Sequence, residues 1–152
     1  MVAIWFYFVE RPRSHNAKYV QKYQQRVWRS AVDTASLEGL PYRREAKLFS
    51  RIYYLHRGVR DIDADNMSKP ILDAISGTTN PGASPPVLED DQSIVWRLAA
   101  KINLLEDDFE LPGDPVKIAE LVEDDAVRDI VIVEVDYIES PIPIVLKGGL
   151  DV

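Results

Sequence analysis

Residues 61–74 read DIDADNMSKPILDA, and residues 89–91 read EDD. Carboxylates packed this densely repel one another, so a folded chain keeps them together only in water or around a cation. In an extended segment alternate side chains share a face, which lets Asp61, Asp63 and Asp65 point the same way. Lys69 lies one helical turn beyond Asp65, on a helix expected to span about 66–76. Acids that hold a hard cation, with an ammonium alongside, are the parts of a phosphodiester-cutting site. The metal lowers the pKa of a bound water and neutralises charge on the reacting phosphate. A compact lysine cation stabilises charge on the phosphate or the leaving oxygen.

Three readings of the acidic run compete. A calcium loop fails downstream, because its sixth position is Asn66 where glycine is needed and its twelfth is Leu72 where a bidentate Glu is needed. A polar strand-to-helix turn, in which Asp and Asn merely cap the helix, is the bland alternative. The third is a magnesium site drawn from Asp63, Asp65 and Asp91.

The elements that must position these residues follow from periodicity. Residues 2–10 are apolar on both faces, as in a strand covered on both sides. From 16 to about 36 runs an amphipathic helix, with Val20, Tyr23, Val27, Ala31 and Ala35 on one stripe and Lys18, Lys22, Arg26 and Arg29 opposite. A second strand is expected at about 45–57. Pro70 cannot donate an i→i−4 bond, so the first turn of the next helix must be irregular or contain it. The turn-rich segment 77–86 leads to a third strand at about 94–104, where Ile94, Trp96, Leu98, Ala100 and Ile102 alternate with Arg97 and Lys101. Asp114 and Pro115 signal a short helix. A fourth strand at about 130–137 carries Val131, Val133, Val135 and Tyr137 on one face. The order β-α-β-α-β-β predicts an α+β fold, with a mixed four-stranded sheet and two main helices.

At 152 residues the chain is long enough for one domain with a real core, carrying an acidic insertion at about 105–127 and an extended tail at 141–152. It has no cysteine, which excludes disulfides and thiolate zinc sites. No apolar run approaches a membrane span, and the opening segment lacks the features of a signal peptide, so a cytoplasmic protein is expected. The net charge of −7 argues at first against a nucleic-acid partner. Its distribution argues otherwise: residues 1–60 hold twelve Lys and Arg against four acids, a balance of +8, and the remainder carries −15. A local field matters more than the sum. The stripe on the first helix, with Arg57 and Arg60 in the Arg-rich stretch 43–60, supplies candidate phosphate contacts.

The pattern D-x-D-N-x-x-K, then D-A on the same helix, then D-D-x-x-[I/V], resembles the RusA-type Holliday junction resolvases. It is carried by Asp63, Asp65, Asn66, Lys69, Asp73-Ala74 and Asp90-Asp91-Gln92-Ser93-Ile94. The resemblance covers roughly residues 1–104 and 128–139. It implies that Asp63, Asp65 and Asp91 bind divalent metal, Mg2+ or alternatively Mn2+, with Asp61 and Asp90 as further ligand candidates. Lys69 then matches the family's essential lysine. The same resemblance implies a homodimeric endodeoxyribonuclease that nicks opposing strands of four-way DNA junctions in recombination and repair. Asp91 is chosen over Glu89 and Asp90 because the D-D-x-x-Ile register fits. Neither His15 nor His56 lies in the motif, so a histidine base is not required. The acidic insertion is not explained by the family pattern. Two rivals stand beside this reading: a non-catalytic branched-DNA-binding protein on the same scaffold, and an acidic protein-interaction module.

Overall fold

Short alternating segments separated by two strongly amphipathic stretches build a sheet with its two main helices on one side. The computed structural model describes residues 4–14, 16–34, 47–58, 62–77, 79–80, 88, 94–111 and 116–138. Its elements are β1 (Ile4–Phe8), α1 (Val20–Thr34), β2 (Leu48–His56), α2 (Ala64–Ile75), β3 (Ile94–Asn103), α3 (Val116–Glu123) and β4 (Asp129–Tyr137). The four strands form one mixed sheet in the order β1-β4-β2-β3. β4 is antiparallel to both of its neighbours, and β2 runs parallel to β3. Parallel neighbours need a crossover, and α2 supplies it. The expected α+β core is therefore present, with α3 as a short third helix. No helix among the described residues is long and apolar enough to cross a membrane.

One face of the sheet carries the main core. Phe6 and Phe8 of β1, Ile52 and Tyr54 of β2, and Val131, Val133 and Val135 of β4 are buried there with Tyr23, Val27 and Ala31 of α1. α2 adds Met67, Ile71, Leu72, Ala74 and Ile75 to the same cluster. The α1 stripe is thus the predicted one, as far as it is described; Ala35 lies outside the described residues.

Three details differ from the sequence reading. α1 starts at Val20, after turns that place Tyr19 at φ 61°, so Lys18 precedes the helix. α2 starts at Ala64, because Asp63 in extended backbone (φ −71°, ψ 140°) occupies the N-cap. Pro70 lies inside α2, beyond its first turn, where its ring nitrogen leaves the Asn66 carbonyl without the usual helical donor. The Pro70 carbonyl accepts a bond from Gln24 Nε2 at 3.1 Å, which ties α1 to α2.

β3 supplies the largest surprise. A register shift between Leu48 and Phe49 pairs Leu48 with Ile94 but Phe49 with Trp96. Ile94 therefore joins the core, while Trp96, Leu98, Ala100 and Ile102 turn to the opposite face of the sheet. Trp96 and Leu98 stay 36% and 38% exposed.

Candidate functional site

Eight of the twelve residues of α2 are buried. The exposed ones are Asp65, Asn66 and Lys69, and the exposed Asp63 precedes them at the N-cap. What this helix shows to water is thus the motif itself. The capping reading assigns the Asp63 carboxylate to the helix, yet that side chain makes no cap hydrogen bond. The first turn is closed instead by the Asn66 N–H donating to the Asp63 carbonyl at 3.1 Å. The Asp63 carboxylate is not spent on capping, and Asp65 in the first turn is stabilised by the helix dipole.

Lys69 lies between two acids. Asp65, Lys69 and Asp73 follow one another at successive four-residue steps, which spreads them over an arc of roughly 80°. The Lys69 ammonium pairs with Asp73, at 3.1 Å from Oδ2 and 3.4 Å from Oδ1. Asp73 is only 8% exposed, while the Lys69 side chain is half-exposed. A buried carboxylate thus anchors a lysine whose head remains open to solvent. In the sequence Asp73 stands only as part of a motif; its i+4 spacing from Lys69 is the signal for this role.

Asp61, Glu89, Asp90, Asp91, Arg60 and His15 lie outside the described residues. Their described neighbours bear on the expected metal set. Leu88 is bonded to the C-terminal end of α2 through Gly77 N–H to Leu88 O at 2.8 Å and Leu88 N–H to Ile75 O at 2.9 Å. Asp63 is at the other end, about 18 Å of helical rise away. Among the described residues, no three Asp, Glu or His side chains form a group that could hold a metal ion.

The basic residues of α1 border an open groove of about 630 Å³ between that helix and the end of β1. Lys22, Arg26 and Arg29 line it with Gln25, Ser30, Phe8, Val9 and Glu10. Glu10 accepts from Arg26 in a fork, Nη2 to Oε1 at 2.5 Å and Nε to Oε2 at 2.9 Å. That carboxylate raises the guanidinium's already high pKa further. Gln24, which touches α2, lies roughly 140–200° around α1 from the three cations at 100° per residue. The groove is therefore on the flank of α1 turned away from the acidic helix. Lys18, also a candidate phosphate contact, is exposed in the turn before α1.

Arg57 needs a correction. The sequence offers it as a phosphate contact, but it is buried and its guanidinium serves the chain itself. Nε donates to Val127 O at 2.9 Å, and Nη2 donates to Val122 O and to Asp124 O. These carbonyls close the C-terminal end of α3 and the turn after it, where a cation complements the helix dipole. His56, expected on a strand face, is buried, and its Nδ1–H donates to Gly58 O at 2.5 Å. Gly58 presents that carbonyl from φ 91°, a conformation that suits glycine.

Searches of protein-family models and of curated proteins gave no match to this chain, so the resemblance to the RusA-type resolvases rests on the motif residues alone.

Proposed function

We propose that this protein is a metal-dependent endodeoxyribonuclease that resolves branched DNA, four-way junctions foremost, as a homodimer. The observation that carries the proposal is the surface of α2. On a helix otherwise committed to the core, the exposed side chains are Asp65, Asn66 and Lys69, with Asp63 at the cap. Their donor set suits magnesium, which takes oxygen ligands, keeps several waters and needs only a few carboxylates before phosphate completes its shell. The metal, when bound, would supply an activated water and neutralise charge on the phosphate. Asp63 and Asp65 would hold it from this helix, and Asp91, with Asp61 or Asp90, is the proposed remaining source of ligands. Lys69, steadied by Asp73, would stabilise the charge that develops on the phosphate or the leaving oxygen.

In this reading Lys18, Lys22 and Arg29 contact phosphates. Arg26 would join them only by releasing Glu10, because the Glu10 carboxylate occupies the fork that a phosphate would take. The test is Asp65→Asn beside Asp91→Asn on a labelled four-way junction. Junction binding retained with cleavage lost supports the assignment, and full activity in either variant refutes the role of that residue.

The scaffold without chemistry is the second reading, favoured by the pairing of Lys69 with Asp73, which ties up the ammonium that the chemistry needs. It predicts junction binding that is indifferent to magnesium and to Asp65→Asn.

A further inference from the structure

The sheet has a second face, which among the described residues keeps exposed or partly exposed side chains on all four strands. By strand alternation Trp5 and Tyr7, Ile132 and Glu134, Arg51 and Tyr53, and Leu98 and Ala100 lie on the side away from α1 and α2. At one end of the sheet Leu55 and Ile130 are buried, as is Ile118 of α3. The rest is rich in exposed or half-exposed aromatic surface. Trp5 and Tyr7 stack at 6.5 Å, and Phe49 meets Trp96 edge-on at 5.5 Å. The Arg51 guanidinium lies 4.7 Å from the Phe49 ring centroid and 5.5 Å from that of Trp96.

The registers arrange this face in rows. Trp5 pairs with Glu134, Glu134 with Arg51, and Arg51 with Leu98, so one row reads Trp5, Glu134, Arg51, Leu98 across the sheet. The next reads Tyr7, Ile132, Tyr53, Ala100. Arg51 and Glu134, 3.2 Å apart, straddle the line between the two central strands. Turning a second copy by half a turn about that line reverses each row onto itself. Each Glu134 then faces an Arg51 of the other copy, Trp5 faces Leu98, and the large Tyr7 faces the small Ala100. Two aligned sheets about 10 Å apart have this geometry.

We infer that this second sheet face is the contact between two copies of this chain, centred on reciprocal Arg51 and Glu134 pairs. Nucleic acid is a poor occupant, because single-strand platforms combine aromatic rings with a surplus of positive charge. Here Arg51 is already matched by Glu134, and the rows hold no other cation. The inference rests on the dimer of the proposed function and names its surface: a dimer that survives Leu98→Glu overturns this surface alone, and a protein that dimerises without cutting overturns the chemistry alone.

The test is sedimentation equilibrium of the full chain and of two charge variants. Wild type should dimerise, whereas Arg51→Glu alone and Glu134→Arg alone place like charges opposite each other and should weaken self-association at least ~10-fold. Mixed in equal amounts the two variants should form a heterodimer, because every facing pair is then opposite in sign. Leu98→Glu, at an exposed side chain with no core role, should also give a folded monomer. The inference is overturned if wild type remains monomeric at about 100 µM, if Leu98→Glu dimerises like wild type, or if the mixed variants do not associate. Quenching of Trp5 and Trp96 fluorescence by single-stranded DNA, without dimers, would overturn it in favour of a nucleic-acid platform.

Discussion

α1 and α2 pack on the same sheet face and meet through Gln24 and Pro70, yet they use their surfaces in opposite ways. α1 buries a narrow stripe, Tyr23, Val27 and Ala31, and leaves a broad polar flank on which cations gather. α2 buries most of its circumference and exposes little besides Asp65, Asn66 and Lys69. A broad solvated flank tolerates many residue types, so charge there is weak evidence of a function. A charge on the small exposed part of a buried helix is stronger evidence, because core packing leaves few positions for it. The proposed function would divide the labour along the same line, with chemistry on α2 and phosphate contacts on α1.

Substitutions can break or sharpen that division. On α2 the largest effect is expected from Asp65→Asn, a loss of roughly 10³-fold in junction cleavage at unchanged affinity. A comparable loss of affinity instead would move α2 into the binding surface. Arg57→Met tests the residue reassigned from binding to structure. It removes the donors that hold the Val122, Asp124 and Val127 carbonyls, so stability measured in urea should fall by about 2–3 kcal/mol, with DNA affinity per folded molecule unchanged.

On α1 the effects are smaller and of a different kind. Lys22→Ala should leave the cleavage rate of bound junction intact and reduce the salt dependence of binding by about one phosphate contact. An unaltered salt slope would return the basic groove to an ordinary solvated flank. Smallest of all is Tyr23→Phe. Among the described residues the buried Tyr23 hydroxyl has no well-formed hydrogen bond, with only the Arg13 backbone acting on it, so removing it should change stability by no more than about 1 kcal/mol. Burial also raises the phenol's pKa in the folded chain. That contribution is fully present below the unfolded value near 10 and is lost as pH rises toward the higher folded value. Wild type should therefore lose stability above about pH 10 more steeply than Tyr23→Phe, as thermal melts would show.

The element order and the α1 stripe were legible because apolar periods of two and of three to four are local properties of the chain. The facing of β3 was not. Trp96, Leu98, Ala100 and Ile102 alternate perfectly, but a single register shift beside Leu48 decides which side of the sheet they occupy. Nor could alternation tell a face covered by helices from one that keeps exposed side chains. Arg57 was misread because its partners are backbone carbonyls 65–70 residues away, and carbonyls leave no trace in sequence. Pro70 misled for a related reason: the packing of α2 against the core carries the helix through a residue that its own propensity would exclude. The acids of α2 were legible as a cluster, but the hold of Asp73 on Lys69 became visible only with the burial of one partner.

The most direct test of the central claim is incubation of the wild-type protein with a labelled synthetic four-way junction and a linear duplex of the same sequence, in magnesium, manganese or EDTA. Paired nicks confined to the junction, present with metal and abolished by EDTA, are the predicted result. Tight junction binding with no nick under any metal would contradict it and leave α2 as part of a DNA-binding scaffold.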